Sequence, residues 1–359
     1  MMGIAIISST KDKASVNIKE NLINNFSFNE SEEQFDNNNI YEFAKNKNNA
    51  INNKNIKLYT INSELIFTDN LDKKINAGIF VFISKHRAQE DRASLTCHAI
   101  GNFGKAEHGG KDNALCYSDP ILLKKLFIEL NTNAEEPYEA TLEATHHGPY
   151  MEKPVLFVEL GSNEKCWGDK NGGFLVAKSL MGALDKFLGF ASIDNDYNEK
   201  NYNNYKITGN NNDNSINKNN SNTLKNNKIN NDYNNKNSIE INENKNNINN
   251  NESKIDNNGK NKNKLMNKND NYESAFVVGG SHYNHVANKA MLQSNLAVGH
   301  ICAKYNLESL DKDLLSQSME KCNAKFVLLD WKGLGRDKKR SIDLLDKNSI
   351  EYKRSDKVF

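Results

Sequence analysis

Two hydrophobic rhythms alternate along this chain. Short, unbroken apolar runs suit strands buried on both faces, and apolar residues three and four apart suit amphipathic helices. The runs at 3–9 (GIAIISS), 56–61, 77–84 (AGIFVFIS), 95–100, 154–160 (PVLFVEL), 274–278, 296–301 and 325–330 (KFVLLD) predict strands. Helical spacing predicts helices over 13–24, 120–130, 173–188 and 310–321, with 342–347 in a last one. Pro120 suits a first helical turn, where its missing N–H costs nothing. Apolar strands alternating with helices predict an α/β fold, built on a mixed, mostly parallel sheet covered by helices on both faces.

Both rhythms stop between 194 and 271, where Asn and Lys dominate. That stretch lacks the apolar mass needed to offset the entropy of ordering a chain, so it predicts a disordered, low-complexity insertion. A basic arm for RNA is the functional alternative, but Asp and Glu offset much of the Lys. A shorter Asn/Lys-rich stretch, 37–55, reads as a surface loop. Loop closure grows costlier only slowly with length, so a compact domain tolerates both. The expected organisation is one discontinuous α/β catalytic domain, 1–193 with 272–359, interrupted in a helix-to-strand connection.

Composition narrows the partners. The formal net charge of +1 over 359 residues creates no global field towards nucleic acid, so any such binding needs a local patch. Hydrophobic residues make up 37%, a deficit that the Asn-rich stretch explains. No run approaches the roughly 20 apolar residues of a membrane span. The first ten residues lack the basic lead and apolar core of a signal peptide and read as a strand. Cys97, Cys116, Cys166, Cys302 and Cys322 are scattered, with no Cys-x-x-Cys pair. Reduced thiols in a cytoplasmic protein are expected. Cys97, beside His98, is the one placed for chemistry.

The densest chemistry lies at 143–149, EATHHGP. On a helix Glu143 would share a face with His146 and His147; on a strand it would share one with Thr145 and His147. Either way, groups that bind metal or move protons are held beside a Gly-Pro turn. Further candidates sit at predicted strand ends, where α/β sheets place ligand sites. His86-Arg87 suits an anionic or carbonyl group. His98 follows an apolar run. Glu159 interrupts PVLFVEL and would need a partner if it points inward. Gly279-Gly280 precede His282 and Tyr283, and Gly299 precedes His300. Several His with two carboxylates are the ligand inventory of a zinc hydrolase, and they could also act without metal as base and oxyanion support. There is no HExxH, G-x-S-x-G or GxxxxGK[ST] motif. The basic run Lys332, Arg336, Lys338, Lys339 and Arg340 could hold RNA phosphates or be a solvated helix start.

Taken together, EATHHGP, PVLFVELGSNEKCWGD, GGSHY, Gly299-His300 and the earlier SKHRAQ and SLTCHAIGN resemble the archaeal and plant-type D-aminoacyl-tRNA deacylases. The resemblance covers nearly all the chain outside the Asn-rich stretches. It implies hydrolysis of the ester joining a D-amino acid to the tRNA 3′ end, two zinc ions, and a fold similar to phosphorylase and peptidyl-tRNA hydrolase folds. It implies a site of Glu143, His146, His147, Glu159, His282 and His300, with His86 and His98 nearby. The metal ligands would be His98, His146, His147, Glu159, His282 and His300. Glu143, His147 and His282 would act on the ester. His86, Arg87, Tyr283 and the basic run would hold tRNA. The expected partner is tRNA charged with a D-amino acid, handled by a monomer, with no DNA or membrane partner. Another zinc-dependent ester or amide hydrolase, a nucleoside phosphorylase, and a non-catalytic RNA-binding protein remain as alternatives.

Overall fold

The computed structural model describes residues 3–44, 56–189 and 271–359. The insertion expected at 194–271 lies outside them save for Asn271, as does 45–55 of the expected surface loop. The first strand, β1 (Ile4–Ser9), is buried throughout. Its successive side chains enter two cores, Ile4 and Ile6 on one face and Ala5 and Ile7 on the other. Helix α1 (Lys13–Asn25) follows, with the Asp12 carboxylate accepting from Ser15 N at 2.9 Å as its N-cap.

The strands divide between two sheets and a small ribbon. β2 (Phe28–Phe35), β3 (Asn38–Phe43), β4 (Ile56–Ile61), β5 (Ile79–Lys85), β6 (Ser94–Ala99), β9 (Glu139–Leu142) and β10 (Val155–Gly161) join β1 in an eight-stranded sheet, ordered β2-β3-β4-β1-β5-β10-β6-β9. The central run β4-β1-β5-β10 is parallel. β7 (Gly101–Asn102) and β8 (Ala114–Leu115) form the ribbon. β11 (Glu273–Val278), β12 (Leu296–Cys302), β13 (Phe326–Leu329) and β14 (Tyr352–Arg354) make an all-parallel sheet, ordered β12-β11-β13-β14. The pairing is thus mixed and mostly parallel, as the apolar rhythm predicts.

One face of the large sheet packs against α1, α2 (Pro120–Asn133) and α4 (Lys170–Leu188), which follows the short α3 (Glu164–Gly168). The other face is covered by Leu65, Leu71, Ile75, Tyr150 and Met151, from short 3-10 turns and loops rather than helices. Helices do lie on both faces of the small sheet. α5 (His285–Gln293) packs with α2 on one side, and α6 (Lys312–Lys321) and α7 (Lys338–Lys347) pack on the other. No described helix is long and apolar enough to cross a membrane.

The loop expected at 37–55 begins instead as strand β3. Asp36 and Asn37 take φ of 51° and 57°, the left-handed pair that closes a two-residue hairpin. Asp36 secures the turn by accepting from Asn62 N at 2.6 Å. FNESEEQF (28–35) carries too few apolar residues to announce its strand.

Candidate active site

The cluster assembles where strands of both sheets end. His86 follows β5, Glu159 lies near the end of β10, and His98 lies near the end of β6. β9 stops at Leu142, and 143–147 is neither helix nor continuing strand. The segment is stitched between the sheets bond by bond. Ala144 N donates to His282 O at 2.7 Å and Thr145 N to Ile301 O at 3.0 Å. Isolated bridges join Glu143 to Tyr283 and His146 to Ile100. His147 then takes φ of 46°, which neither regular element allows.

Glu143 is the hub. Its Oε2 accepts from His282 Nε2 at 2.8 Å and lies 3.7 Å from His146 Nε2. Its Oε1 lies 3.2 Å from His86 Nδ1 but makes no well-aligned hydrogen bond. His86 Nδ1 is 3.5 Å from Glu159, whose Oε2 is 3.7 Å from His98 Nε2. Burial alone would raise both carboxyls. For Glu143 the surrounding His86, His282 and His98 reverse this and hold it well below the usual carboxylate range; for Glu159, His86 and His98 do so. Burial opposes charge on His86, but Glu143 and Glu159 outweigh it and push the ring up to about 11. His146 and His147 go the other way. Burial and the neighbouring His98 keep both neutral, His147 down at about 4.

Three imidazoles are prepared alike. Each turns Nδ1 towards a main-chain carbonyl: His98 to Ala99 at 3.1 Å, His146 to Ala144 at 2.8 Å and His147 to Gly148 at 2.6 Å. Such a bond fixes Nδ1–H and leaves the Nε2 lone pair free in a neutral ring, as His146 and His147 are; at His98 burial opposes charge but Glu159 and Glu143 raise the ring. These three offer ring nitrogens within 4.8 Å of one another, as do the donor sets Glu143/His146/His282 and His86/Glu143/Glu159. His98 Nε2 and Glu143 Oε1 are buried without a hydrogen-bond partner. Two orphaned buried atoms inside a converging donor set fit a metal ion better than a closed hydrogen-bond network. The rings rest on Phe157, whose centroid is 4.8 Å from that of His147 and 5.6 Å from that of His98.

A sequence profile of the D-aminoacyl-tRNA deacylase family matches residues 73–207 and 244–353, more than half of the chain. The chain belongs to that family. Among D-aminoacyl-tRNA deacylases, that of Thermococcus kodakarensis is 27% identical over 338 residues, 91% of each chain. That of Methanosarcina mazei is 26% identical over 99% of this chain and 93% of its own. That of Pyrococcus furiosus is 39% identical over 189 residues, half of this chain and 66% of its own. The crystal structure of a conserved protein of unknown function, AF0625, shares the fold, with a TM-score of 0.67 at 22% identity over 99% of this chain and 96% of that one.

Seven of the deacylase's expected residues come together: His86, His98, Glu143, His146, His147, Glu159 and His282. Tyr283 joins them, its hydroxyl 2.8 Å from His86 Nε2. His300, expected as a metal ligand, does not. It is fully buried, with Nδ1 3.2 Å from Thr145 Oγ1 and Nε2 3.1 Å from Cys116 O, so both ring nitrogens already have partners. Its place is beneath the bridging segment.

Arg87 points to solvent beside His86. The basic run is divided. The Arg340 guanidinium donates to the carbonyls of Leu307, Glu308 and Leu310, and Lys338 lies over the Trp331 ring. Lys332 is exposed, while Arg336 and Lys339 line an open cleft of about 560 Å³ with Arg340, Lys312 and Lys347. All five described thiols are free and buried, Cys97 included. Burial pushes the Cys97 thiol up, against any nucleophilic role.

Sequence reasoning missed Tyr305, whose hydroxyl lies 2.8 Å from His282 Nδ1, and Trp167, whose indole N–H donates to His86 O at 2.8 Å. Thr96, the Thr of the Thr-x-His in SLTCHAIGN, has no role in the sequence reading; it is a buried hydroxyl without a partner that pairs with Glu159 across the strands. Two residues apart on β6, Thr96 and His98 point to the same face. Tyr305 follows a strand end as His86 and His282 do.

Gly148 fixes the His pair from below. A Cβ there would stand 2.3 Å from Gly110 N and 2.5 Å from Ile66 O, both main chain that cannot step aside. Gly148→Ala is therefore expected to displace His147 and to lower single-turnover deacylation about 10²-fold, the scale of a 1 Å misplacement. Unchanged turnover would show that this contact yields.

Proposed function

We propose that the Glu143-centred cluster is where this deacylase hydrolyses the ester joining a D-amino acid to the 3′ end of tRNA, releasing both and protecting translation from D-amino acids. The observation that carries the assignment is the matched preparation of His98, His146 and His147, each with Nδ1 on a main-chain carbonyl and their ring nitrogens converging. Two zinc ions are the proposed complement. The His98/His146/His147 set would hold one, and Glu159, whose Oε2 lies 3.7 Å from His98 Nε2, would offer carboxylate oxygens to the other. Bound zinc would supply Lewis acidity at the ester carbonyl and towards water.

The chain's own groups have distinct tasks. Glu143, held ionised, turns Oε1 towards His86 without an aligned hydrogen bond and takes a proton from the attacking water. His282, fixed between Tyr305 and Glu143, orients that carboxylate. His86 carries positive charge beside the developing oxyanion. Tyr283 and Arg87 border the entrance. Lys332, Arg336 and Lys339 are the proposed phosphate contacts, of which Arg336 and Lys339 face the open cleft, whereas Arg340 is taken up by main-chain carbonyls and Lys338 lies over Trp331. The catalytic unit is one discontinuous domain, 1–193 with 272–359, working as a cytoplasmic monomer.

The test is deacylation of D-tyrosyl-tRNA against L-tyrosyl-tRNA, with chelator and with zinc restored. D-selective release that chelation stops and zinc restores is the expected result. D-selective release indifferent to chelator would make the cluster a metal-free acid–base site. No release from either would remove the assignment.

A further inference from the structure

Among the described residues, the large apolar side chains left exposed are Phe67, Ile121, Leu292, Tyr305 and Val358. Of these, Tyr305 touches the cluster. It is 56% exposed although its hydroxyl is tied to His282 Nδ1 at 2.8 Å. Its ring lies 6.3 Å from the His282 ring, with 30° between their planes. The main chain beneath is held at several points. Lys304 N donates to Gly280 O at 2.8 Å, Leu307 is fully buried, and Arg340 grips the carbonyls of Leu307, Glu308 and Leu310. Tyr305 is therefore an aromatic plate fixed at its hydroxyl and its backbone, lying against His282 and still more than half exposed.

Orienting His282 needs only the hydroxyl. It does not explain an uncovered ring, which a closed site would bury. Flat ligands that cover such rings in RNA recognition are unpaired bases, stacked without regard to sequence. In an aminoacyl-tRNA the ester sits on the last ribose, so the base nearest the reacting carbonyl is the terminal, unpaired one.

We propose that the Tyr305 ring is the stacking platform for the 3′-terminal nucleobase of the RNA. This rests on the deacylase assignment, which makes an RNA 3′ end the substrate. Stacking then places the ester one ribose away from the plate, over the Glu143 cluster. The cleft lined by Lys312, Arg336, Lys339, Arg340 and Lys347, with Asp311 and Asp343 between them, begins on the segment that leads away from the same turn.

The test uses an uncharged RNA minihelix with an unpaired 3′ end whose last base is 2-aminopurine. Binding is followed by quenching of its fluorescence, which requires no hydrolysis and so is decided separately from the catalytic assignment. Wild-type protein is expected to quench on binding, and Tyr305→Phe, which keeps the ring, to quench with similar affinity. Tyr305→Leu should lose both the quenching and roughly 5- to 100-fold in affinity, the usual scale of one base–aromatic stack. With D-aminoacyl-tRNA the two roles of the side chain separate. Tyr305→Phe should lower kcat through His282, and Tyr305→Leu should also raise KM. Equal quenching and affinity for Tyr305→Leu and wild type would overturn the proposal. So would equal losses in Tyr305→Phe and Tyr305→Leu, which would reduce Tyr305 to a partner of His282. A change confined to preference among D-amino acids would assign the ring to the amino-acid side chain and overturn it as well.

Discussion

Glu143→Gln is expected to lower D-aminoacyl-tRNA turnover by roughly 10²–10⁴-fold, the span of a lost general base. The substitution keeps the shape of a side chain with no measurable exposed surface and removes its charge. His282 can still donate to the amide oxygen, so the 2.8 Å bond that seats it survives. What disappears is an anion facing His86, His146 and His282 together. Removing one partner of a buried ion pair costs up to about 3–5 kcal/mol when the other is left charged. Here Glu159 remains 3.5 Å from His86 and limits that cost. Circular dichroism should therefore show a folded protein melting a few degrees lower, and single-turnover assays should show almost no release. Turnover within tenfold of wild type would exclude Glu143 as the base, leaving it a structural hub.

Lys124→Met is expected to destabilise the protein by about 3–5 kcal/mol without touching the cluster. Lys124 is 1% exposed on α2, and its ammonium donates to Met291 O, Ser294 O and Leu296 O at 2.8, 2.8 and 2.7 Å. These carbonyls belong to the end of α5 and the start of β12. A cation is favourable at a helix C-terminus, where unpaired carbonyls and the helix dipole both present negative charge. Methionine restores the volume but supplies no donor, so three carbonyls are left to find new partners. Urea unfolding should show the midpoint falling with little change in slope. A loss below about 1 kcal/mol would mean that water replaces the ammonium at this joint.

What the chain disclosed beforehand followed the physics of each signal. Strands buried on both faces announce themselves as apolar runs, and β4 spans the very residues its run marks. Half-exposed edge strands do not. β2 is mostly polar, and β14 has only Tyr352, Lys353 and Arg354. The division into two sheets was hidden because apolar runs report burial, not pairing partners. At the site, strand-end position and residue type located His86, His98, Glu159 and His282 as well as the 143–147 run. The same rule misplaced His300, since a His on β12 reads alike whether its nitrogens meet an open cluster or, as here, Thr145 and Cys116. The divided fate of the basic run was equally invisible. Whether an arginine grips carbonyls or faces water depends on the turn opposite it.

The stitching of 143–147 to the second sheet has a consequence for synthesis on the ribosome. Glu143, His146 and His147 emerge early, but His282, the main-chain groups of 282 and 301 that hold this segment, and Tyr305 are made more than a hundred residues later. A nascent chain that has passed only α4 contains most of the donors and lacks the frame that aims them. The site is thus expected to stay silent until the ribosome has passed Tyr305, so that a chain interrupted earlier should leave behind no half-active hydrolase to consume charged tRNA.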